Sequence, residues 1–438
     1  MKISKFFETD YVDYSSYDNL RKIASAIDGQ KNASRKILYT ILNKNIKDEI
    51  KVSQLGSKVA EYAEYLHGNL EGSIVTCAQN YPGTNNIPLL VREGNFGTRF
   101  SPDASASRYI FTHGSKEFFE LFKKEDNDIL INQTFEGNNI EPRFYVPNLP
   151  MLLINGTEGV SSGFASKILP RNPKKIKKFI IDYLNNKLKP NSSNSLEPFF
   201  NGFQGSVEPG ENTCQWLIKG TVQRKGINKV QITEVPIGYN LKGYIKILDD
   251  LEDRKIIQSY RDKSEDDNFL FDVSIASKNL KNWDDNTLLE KLKLQKKITE
   301  NYTCTDENNK IRVFNSAKDI LMYYIDIKLQ YIKKRKEHQI QKYTNDIKLD
   351  YSKYLFIKMI VDNKLKINKR KKEVIEKDLS KIDKILTRDE NYDYLLNMNI
   401  LSLTKERMDK LQDDIRSKKT QLDLLVKRSC EQIWLTEI

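Results

Sequence analysis

Histidine and cysteine are nearly missing from this 438-residue chain, which holds three of the first (His67, His113, His338) and four of the second (Cys77, Cys214, Cys304, Cys430). The cysteines lie far apart, form no Cys-x-x-Cys and have no histidine beside them, which argues against a zinc site or a disulfide framework. They read as small buried apolar groups in a reducing compartment. So few histidines also argue against a histidine-ligated metal enzyme, and no metal ligand is assigned to this chain. No apolar run nears the ~18 residues of a membrane span. The opening MKISKFFETDYVDYSS has no apolar signal core, so a soluble, intracellular protein without a membrane partner is expected. Glycine and proline are absent from Asn315 to the end, which removes the usual helix breakers from that stretch.

What the chain does have is positive charge. A net charge of +12, a pI near 9.1 and a mean hydropathy of -0.61 suit a polyanionic partner, although charge speaks of affinity and not of fold. The length implies two or three domains. The stretch Arg92 to Thr112, REGNFGTRFSPDASASRYIFT, carries turn residues at Gly94, Gly97 and Pro102 and then small residues up to Arg108-Tyr109. A tyrosine hydroxyl is a potential nucleophile, but a pKa near 10 leaves only about 0.1% phenolate at neutral pH, so a cation or metal must be close. Arg108 is adjacent, and Arg99 is placed to fold back from the turn. Ala104, Ser105, Ala106 and Ser107 leave room for a bulky group to approach. Most of the 22 tyrosines are ordinary core or surface aromatics.

Periodicity outlines the rest. Apolar Leu20, Ile23, Ala24 and Ile27 predict a helix from Tyr17 to Asp28 closed by Gly29. Further helices are expected at Asn32–Asn43, whose first turn carries Arg35 and Lys36, at Val52–Leu66 and at Leu70–Gln79, with His67 between the last two. Prolines bracket Met151–Ile154, read as a strand. Leu196 to Ala276 reads as mixed α/β with a helix at Leu241–Leu251, reached through the polar linker NSSNS. From Ser316 onward a long exposed helix, an apolar tip at Tyr354–Val361 and a returning helix capped by Thr404 predict a coiled-coil arm.

Several phrases resemble type IIA DNA topoisomerases in that family's own order. The active-site form GxFGTR, then Asp, small residues and Arg-Tyr with an aromatic, is similar to Gly94, Phe96, Gly97, Thr98, Arg99, Asp103, Arg108, Tyr109 and Phe111. About two residues, a lysine among them, are missing here between Arg99 and Asp103. DGQKNASRKILY resembles DGLKPxxRKxLY, YLHG resembles YHHG, and AQNYPGTNNIPLL resembles AQNFxGxNNxxLL. Two residues usual after the YHHG glycine are absent, so Asn69 would start the next helix early. GVSSGFASKI matches GxxSGxASKI, and YDYLLNMNILSLTKE resembles YLLxMxIxxLTxE.

The resemblance implies an α+β multidomain fold. A winged-helix domain (1–140), a mixed α/β tower domain (141–315) and an antiparallel coiled-coil arm with a helical exit-gate tip (316–438) would follow one another. Tyr109 would be the DNA-cleaving nucleophile, with Arg108 and His67 stabilising the transition state. Arg35, Lys36, Arg99, Asn69 and Lys167 would contact DNA, and Ile168 would wedge between base pairs. Neither a phosphate-cradling ATPase motif nor the EGDSA-like and DxDxD-like acidic signatures are found, so ATP and Mg2+ would be bound by a large partner subunit. The size and wording are most similar to split enzymes of phage type, which places the protein in the cytoplasm, a bacterial host's if phage-encoded. A homodimer joined at the coiled-coil gate and double-stranded DNA complete the expected partners. The competing reading is a non-enzymatic, DNA-binding architectural protein with a coiled coil.

Overall fold

In the computed structural model, which describes residues 3–65, 67–68, 70–188, 196–388, 390–399 and 403–438, helical periodicity closes the first core. After α1 (Ile3–Glu8) and α2 (Asp10–Lys22) come α3 (Asn32–Lys44), α4 (Val52–Tyr62) and α5 (Glu71–Ala78). The last three touch one another through buried Ile37, Leu38, Ile41, Leu55, Val59 and Ile74. Strands β1 (Ile50–Lys51), β2 (Leu90–Glu93) and β3 (Phe111–Gly114) form an antiparallel sheet in the order β1-β3-β2. Three helices with such a sheet make a winged-helix arrangement, and the β2–β3 connection is the wing.

Two expectations are corrected here. The first helix ends at Lys22 and not at Asp28: Ala24 and Ala26 exchange backbone hydrogen bonds with Thr305, and Ser25 bridges to it. Ile23, Ala24, Ala26 and Ile27 are all buried, and a segment buried on every side shows apolar residues whatever its period. Gly29 (φ +69) marks a close approach, since a Cβ there would lie 2.4 Å from the Leu152 nitrogen. The second correction is that Met151–Asn155 is a helix, α7, and not a strand. Leu153 and Ile154 donate to the Pro150 carbonyl, and a short, wholly buried apolar run carries no period to tell helix from strand.

Before α7 lie α6 (Lys116–Leu121) and the hairpin of β4 (Asn132–Phe135) and β5 (Asn138–Pro142). After it come the hairpin of β6 (Thr157–Ser161) and β7 (Phe164–Ile168), then α8 (Pro173–Leu184). Pro173 opens α8 and the Asn172 side chain caps it by accepting from the Lys174 and Lys175 amides. The next region is mixed α/β as expected. It runs through β8 (Ser206–Pro209), β9 (Gln215–Lys219), β10 (Thr221–Arg224), β11 (Lys229–Glu234), α9 (Leu241–Asp253), β12 (Ser259–Asp262) and β13 (Phe271–Ser274). Helices α10 (Ser277–Asn282) and α11 (Asp285–Lys291), strand β14 (Gln295–Thr299) and the hairpin of β15 (Thr303–Thr305) and β16 (Ile311–Val313) complete it. The sheets run β14-β9-β8 and β10-β11-β13-β12, and α9 sets Tyr244, Leu248 and Leu251 into a core with Val230, Ile232, Phe271 and Val273. Residues 191–195, the expected polar linker, lie outside the described residues, as do Leu66 and Asn69.

The chain divides into two compact units, one through Lys328 and one at Leu329–Glu437. The second unit holds most of α12 (Ala317–Val361) with α13 (Lys372–Leu379), α14 (Asp393–Leu396), α15 (Lys405–Lys427) and α16 (Cys430–Glu437). Contacts fix α12 as antiparallel to α15 and place α16 against it. Asp350 pairs with Lys418 at 2.6 Å, Lys336 reaches the Val426 and Arg428 carbonyls, and Arg335 pairs with Glu437 at 2.6 Å. Tyr354–Val361 forms the last turns of α12, and its Phe356 joins Leu365, Ile375, Leu379, Ile385 and Leu395 in a small helical core. Thr404 caps α15 by accepting from the Arg407 amide.

One buried ion pair ties the first unit together. Arg171 and Glu300, 1% and 4% exposed, meet at 2.7 Å, and Glu300 also accepts from Trp216 Nε1, Tyr302 Oη and the Leu169 amide, each at 2.7 Å. Removing one partner of such a pair leaves a buried uncompensated charge and costs about 3–5 kcal/mol. Glu300→Ala is therefore expected to lower stability by that amount. Urea unfolding followed by circular dichroism checks it, and a midpoint equal to that of the wild type would refute it.

Candidate active site

The wing loop is braced from beneath and open above. Gly94 (φ +101) and Gly97 (φ +84) take left-handed backbone, and a Cβ on Gly97 would lie 2.3 Å from the Pro102 carbonyl oxygen. Phe96 between them is buried and plugs the loop into the domain. Gln79 Nε2 donates to the Phe96 carbonyl at 2.8 Å, the Asn95 side chain accepts from the Gly97 amide at 2.9 Å, and Ser105 donates to the Asn95 carbonyl at 3.0 Å. Ser107 and Ile110 receive the Ser53 and Val52 amides, so the far end of the loop is pinned to the start of α4. Ile110 points inward and is buried, which leaves its neighbour Tyr109 outward and 67% exposed. The exposed Arg108 sets its guanidinium 5.0 Å from the centre of the Tyr109 ring. A reachable phenol with a cation beside it is what a phosphate-attacking tyrosine needs.

Other expected site residues fall elsewhere. Arg99 does not fold back toward Tyr109. It is 4% exposed, pairs with Glu234 at 2.9 Å, donates to the Val235 carbonyl at 2.5 Å and lies over the rings of Phe203 and Phe269. Burial lowers its pKa, with Glu234 opposing. A planar guanidinium that stacks and binds bidentately suits such a cage. Arg35 and Lys36 do not face outward either. Arg35 makes a two-pronged pair with Asp28 at 2.8 and 3.1 Å, and Lys36 meets Glu141 at 2.8 Å and the Ala63 carbonyl. Both sit in the helix core, where an unpaired charge would be costly.

Ile168 is also corrected as a wedge, because it is 2% exposed. The apolar side chains that its hairpin does present are Val160, 71% exposed, and Phe164, 41% exposed. Strand alternation puts Val160 and its partner Ala165 on the face opposite Ile168, while Phe164, on the same face as Ile168, is exposed at the turn end of the hairpin. Lys167 lies across the hairpin from Glu158 at 3.1 Å and is partly exposed. His67 is half-buried, its Nε2 hydrogen-bonded to the Tyr17 hydroxyl, with the Tyr65 ring edge-on at 5.9 Å. Asn69 lies outside the described residues.

An open cleft of about 790 Å³ between α3, α5 and the β6–β7 hairpin was not anticipated as a whole. Its charged lining is Arg21, Lys22, Lys31, Lys167 and Lys296 against Glu158 alone. Lys31 donates to the Glu158 carbonyl at 2.6 Å, and burial lowers its pKa while Glu158 opposes the shift. Such a focus of positive charge attracts a polyanion. No local signal in the sequence joins Arg21, Lys31 and Lys296, which only tertiary packing brings together. Among the described residues no group of three or more His, Cys, Asp or Glu is arranged to hold a metal ion, and no helix is long and apolar enough to cross a membrane.

Comparison with known proteins gives a consistent picture. The family model for the A-subunit of DNA gyrase/topoisomerase IV matches residues 21–438. The mitochondrial DNA topoisomerase 2 of Dictyostelium discoideum is 33% identical over 446 residues, covering 99% of this chain and 34% of the relative. The DNA topoisomerase 2 of Invertebrate iridescent virus 6 is 30% identical over 448 residues, covering 100% of this chain and 38% of the relative. The crystal structure of the Plasmodium falciparum topoisomerase II DNA-binding, cleavage and re-ligation domain superposes with a TM-score of 0.87 at 31% identity, over 99% of this chain and 63% of that one. The chain thus spans about a third of the length of the curated relatives it matches.

Gly97 tests how the loop is held. Gly97→Ala, with its Cβ driven against the Pro102 carbonyl at φ +84, is expected to cost about 1–3 kcal/mol and to open residues 94–110 to limited proteolysis. Gly72→Ala in α5, where a Cβ meets nothing within 4 Å, serves as the neutral control. Equal melting and equal proteolysis of the two variants would refute the brace.

Proposed function

This chain belongs to the DNA gyrase/topoisomerase IV A-subunit family, and from that premise we propose that it is the DNA cleavage-religation component of an ATP-dependent type IIA topoisomerase. The observation that carries the reading is the exposed Tyr109 phenol on a braced wing, with the Arg108 guanidinium 5.0 Å from its ring. The Tyr109 oxygen attacks a backbone phosphorus, the 3′ oxygen of the neighbouring nucleotide leaves with a proton, and a 5′-phosphotyrosyl link forms. The reverse attack by that 3′ hydroxyl reseals the strand and restores the phenol. One phosphoester replaces another, so resealing needs no external energy.

Arg108, with His67 as helper, stabilises charge on the phosphate oxygens in the transition state, a contact typically worth about 10²–10³ in rate. Double-stranded DNA lies along the basic cleft of Arg21, Lys31, Lys167 and Lys296, in place of the Arg35, Lys36 and Arg99 contacts first expected. Val160, exposed on the β6–β7 hairpin, takes the wedge role first given to Ile168. Residues 1–140, 141–315 and 316–438 act as winged helix, tower and coiled-coil arm. Two copies meet through the arm, and each cuts one strand so that a second duplex passes. Mg2+ and ATP belong, in this reading, to a large partner chain that carries the ATPase and metal-binding modules. The assembly works in the cytoplasm.

Wild type and Tyr109→Phe, each mixed with the cognate ATPase/metal-binding subunit, Mg2+ and end-labelled duplex and quenched with detergent, test the chemistry. Protein attached to 5′ ends is expected for the wild type and absent for the variant, which should still bind DNA. Equal adduct in both removes Tyr109 as nucleophile, and no adduct in either points to the architectural protein. Val160→Ala is expected to reduce DNA bending, measured by energy transfer between labelled duplex ends, with cleft binding retained. An unchanged bend would rule out Val160 as the wedge.

A further inference from the structure

We infer that Tyr17 is a positioning residue for His67, donating its hydroxyl hydrogen to Nε2 and so holding the ring proton on Nδ1. This rests on the reading of His67 as a contact to the scissile phosphate. His67 sits in a connection between helices, next to Gly68 at φ +34, with no helix or strand of its own. Left alone, its ring would sample several rotamers, each freedom opposing a defined contact. Two aromatic neighbours remove that freedom. The Tyr17 ring lies 5.7 Å from the imidazole with its hydroxyl on Nε2, and the Tyr65 ring lies edge-on at 5.9 Å.

Tyr17 is itself held from below. Its neighbour Asp18 accepts from the Ser162 amide at 2.9 Å and the Ser162 hydroxyl at 3.1 Å, and pairs with Lys22 at 2.9 Å. Asn19 accepts from the Ser161 hydroxyl at 2.6 Å. These contacts fasten α2 to the β6–β7 hairpin. Tyr17 and Arg21, four residues apart, share a helix face, and the Arg21 guanidinium lies 5.7 Å from the Tyr17 ring centre while also lining the basic cleft. One turn of α2 thus presents a cation to the cleft and a phenol to His67.

The direction of the hydrogen bond decides what His67 offers. A neutral imidazole has one N–H donor and one acceptor nitrogen. If Nε2 accepts from Tyr17, Nδ1 carries the hydrogen and is a donor for an anionic phosphate oxygen. If Tyr17 accepted instead, Nδ1 would present a lone pair, which an anionic oxygen repels. The bond made by one nitrogen sets the tautomer at the other, so in the neutral ring it is donation by Tyr17 that leaves Nδ1 a donor toward the phosphate. Tyr17 acts through His67 and touches no reacting atom.

Tyr17→Phe keeps the ring and removes the hydroxyl. The chain has only three histidines, so nitrogen-15 spectra of histidine-labelled full chain resolve each imidazole. The His67 signals in wild type should report a protonated Nδ1 and change toward the Nε2–H form in Tyr17→Phe, with His113 and His338 unmoved. An unaltered His67 tautomer would overturn the inference without any assay of activity.

In the complex reconstituted with the cognate ATPase/metal-binding subunit, Tyr17→Phe should slow single-turnover cleavage on the order of 10-fold with DNA affinity unchanged. It should slow it no further in a His67→Ala background. Additive losses would mean that Tyr17 acts apart from His67 and would also overturn it. Cleavage by His67→Ala at the wild-type rate would overturn the role of His67 itself, a failure that the spectra tell apart from loss of the Tyr17 bond.

Discussion

The Arg99–Glu234 ion pair is the constraint on which the exposed tyrosine depends. A loop of glycine, serine and alanine has high conformational entropy, about 1–2 kcal/mol per residue to order its backbone. Few of its side chains are large enough to pack in compensation. Phe96 and Arg99 supply the anchors, one by filling the core and one by reaching 2.9 Å from a carboxylate on β11. Arg99 also stacks on Phe203 and Phe269, so the loop is tied both to its own helices and to the mixed α/β region. The loop tip is then free to present Tyr109 outward without the peptide wandering.

The basic residues fall into two populations with different physics. Arg35, Lys36, Arg99 and Arg171 are buried, and each is paired with an acid: Asp28, Glu141, Glu234 and Glu300. These four pairs cancel internally and add nothing to the surplus of +12, which is the balance over the remaining charged residues. Part of it converges on the cleft through Arg21, Lys31, Lys167 and Lys296. Buried pairs hold the frame because a lone partner would be stranded without water. The cleft cations, less compensated, are the ones available to a polyanion.

The motif asparagines show the same division between frame and chemistry. Asn86 directs its amide at the carbonyls of Ile154, Arg171 and Phe199, and Asn85 reaches those of Thr76 and Gln79. With Gln79 beneath the wing, these residues of AQNYPGTNNIPLL connect backbone segments far apart in sequence. A pattern that looks like a binding motif in one dimension is here a set of cross-ties.

Local sequence determined a good deal by itself. The three helices of the first core, the α15 cap, the glycine-free helix of the arm and the Arg108-Tyr109 loop all follow from short-range rules of period, cap and turn. Tertiary structure alone decided which cations are inside, because burial of Arg35 or Arg99 depends on an acid supplied by Asp28 or by distant Glu234. It also decided that Ile23–Asp28 leaves the helix to bridge Thr305, and that Met151–Ile154 coils. Wholly buried residues show no polar face from which a period can be read. Val160 and not Ile168 faces outward because the partner strand sets the hairpin's alternation. Spacing within a segment reports the shape of that segment, while charge compensation and solvent exposure are properties of what packs against it.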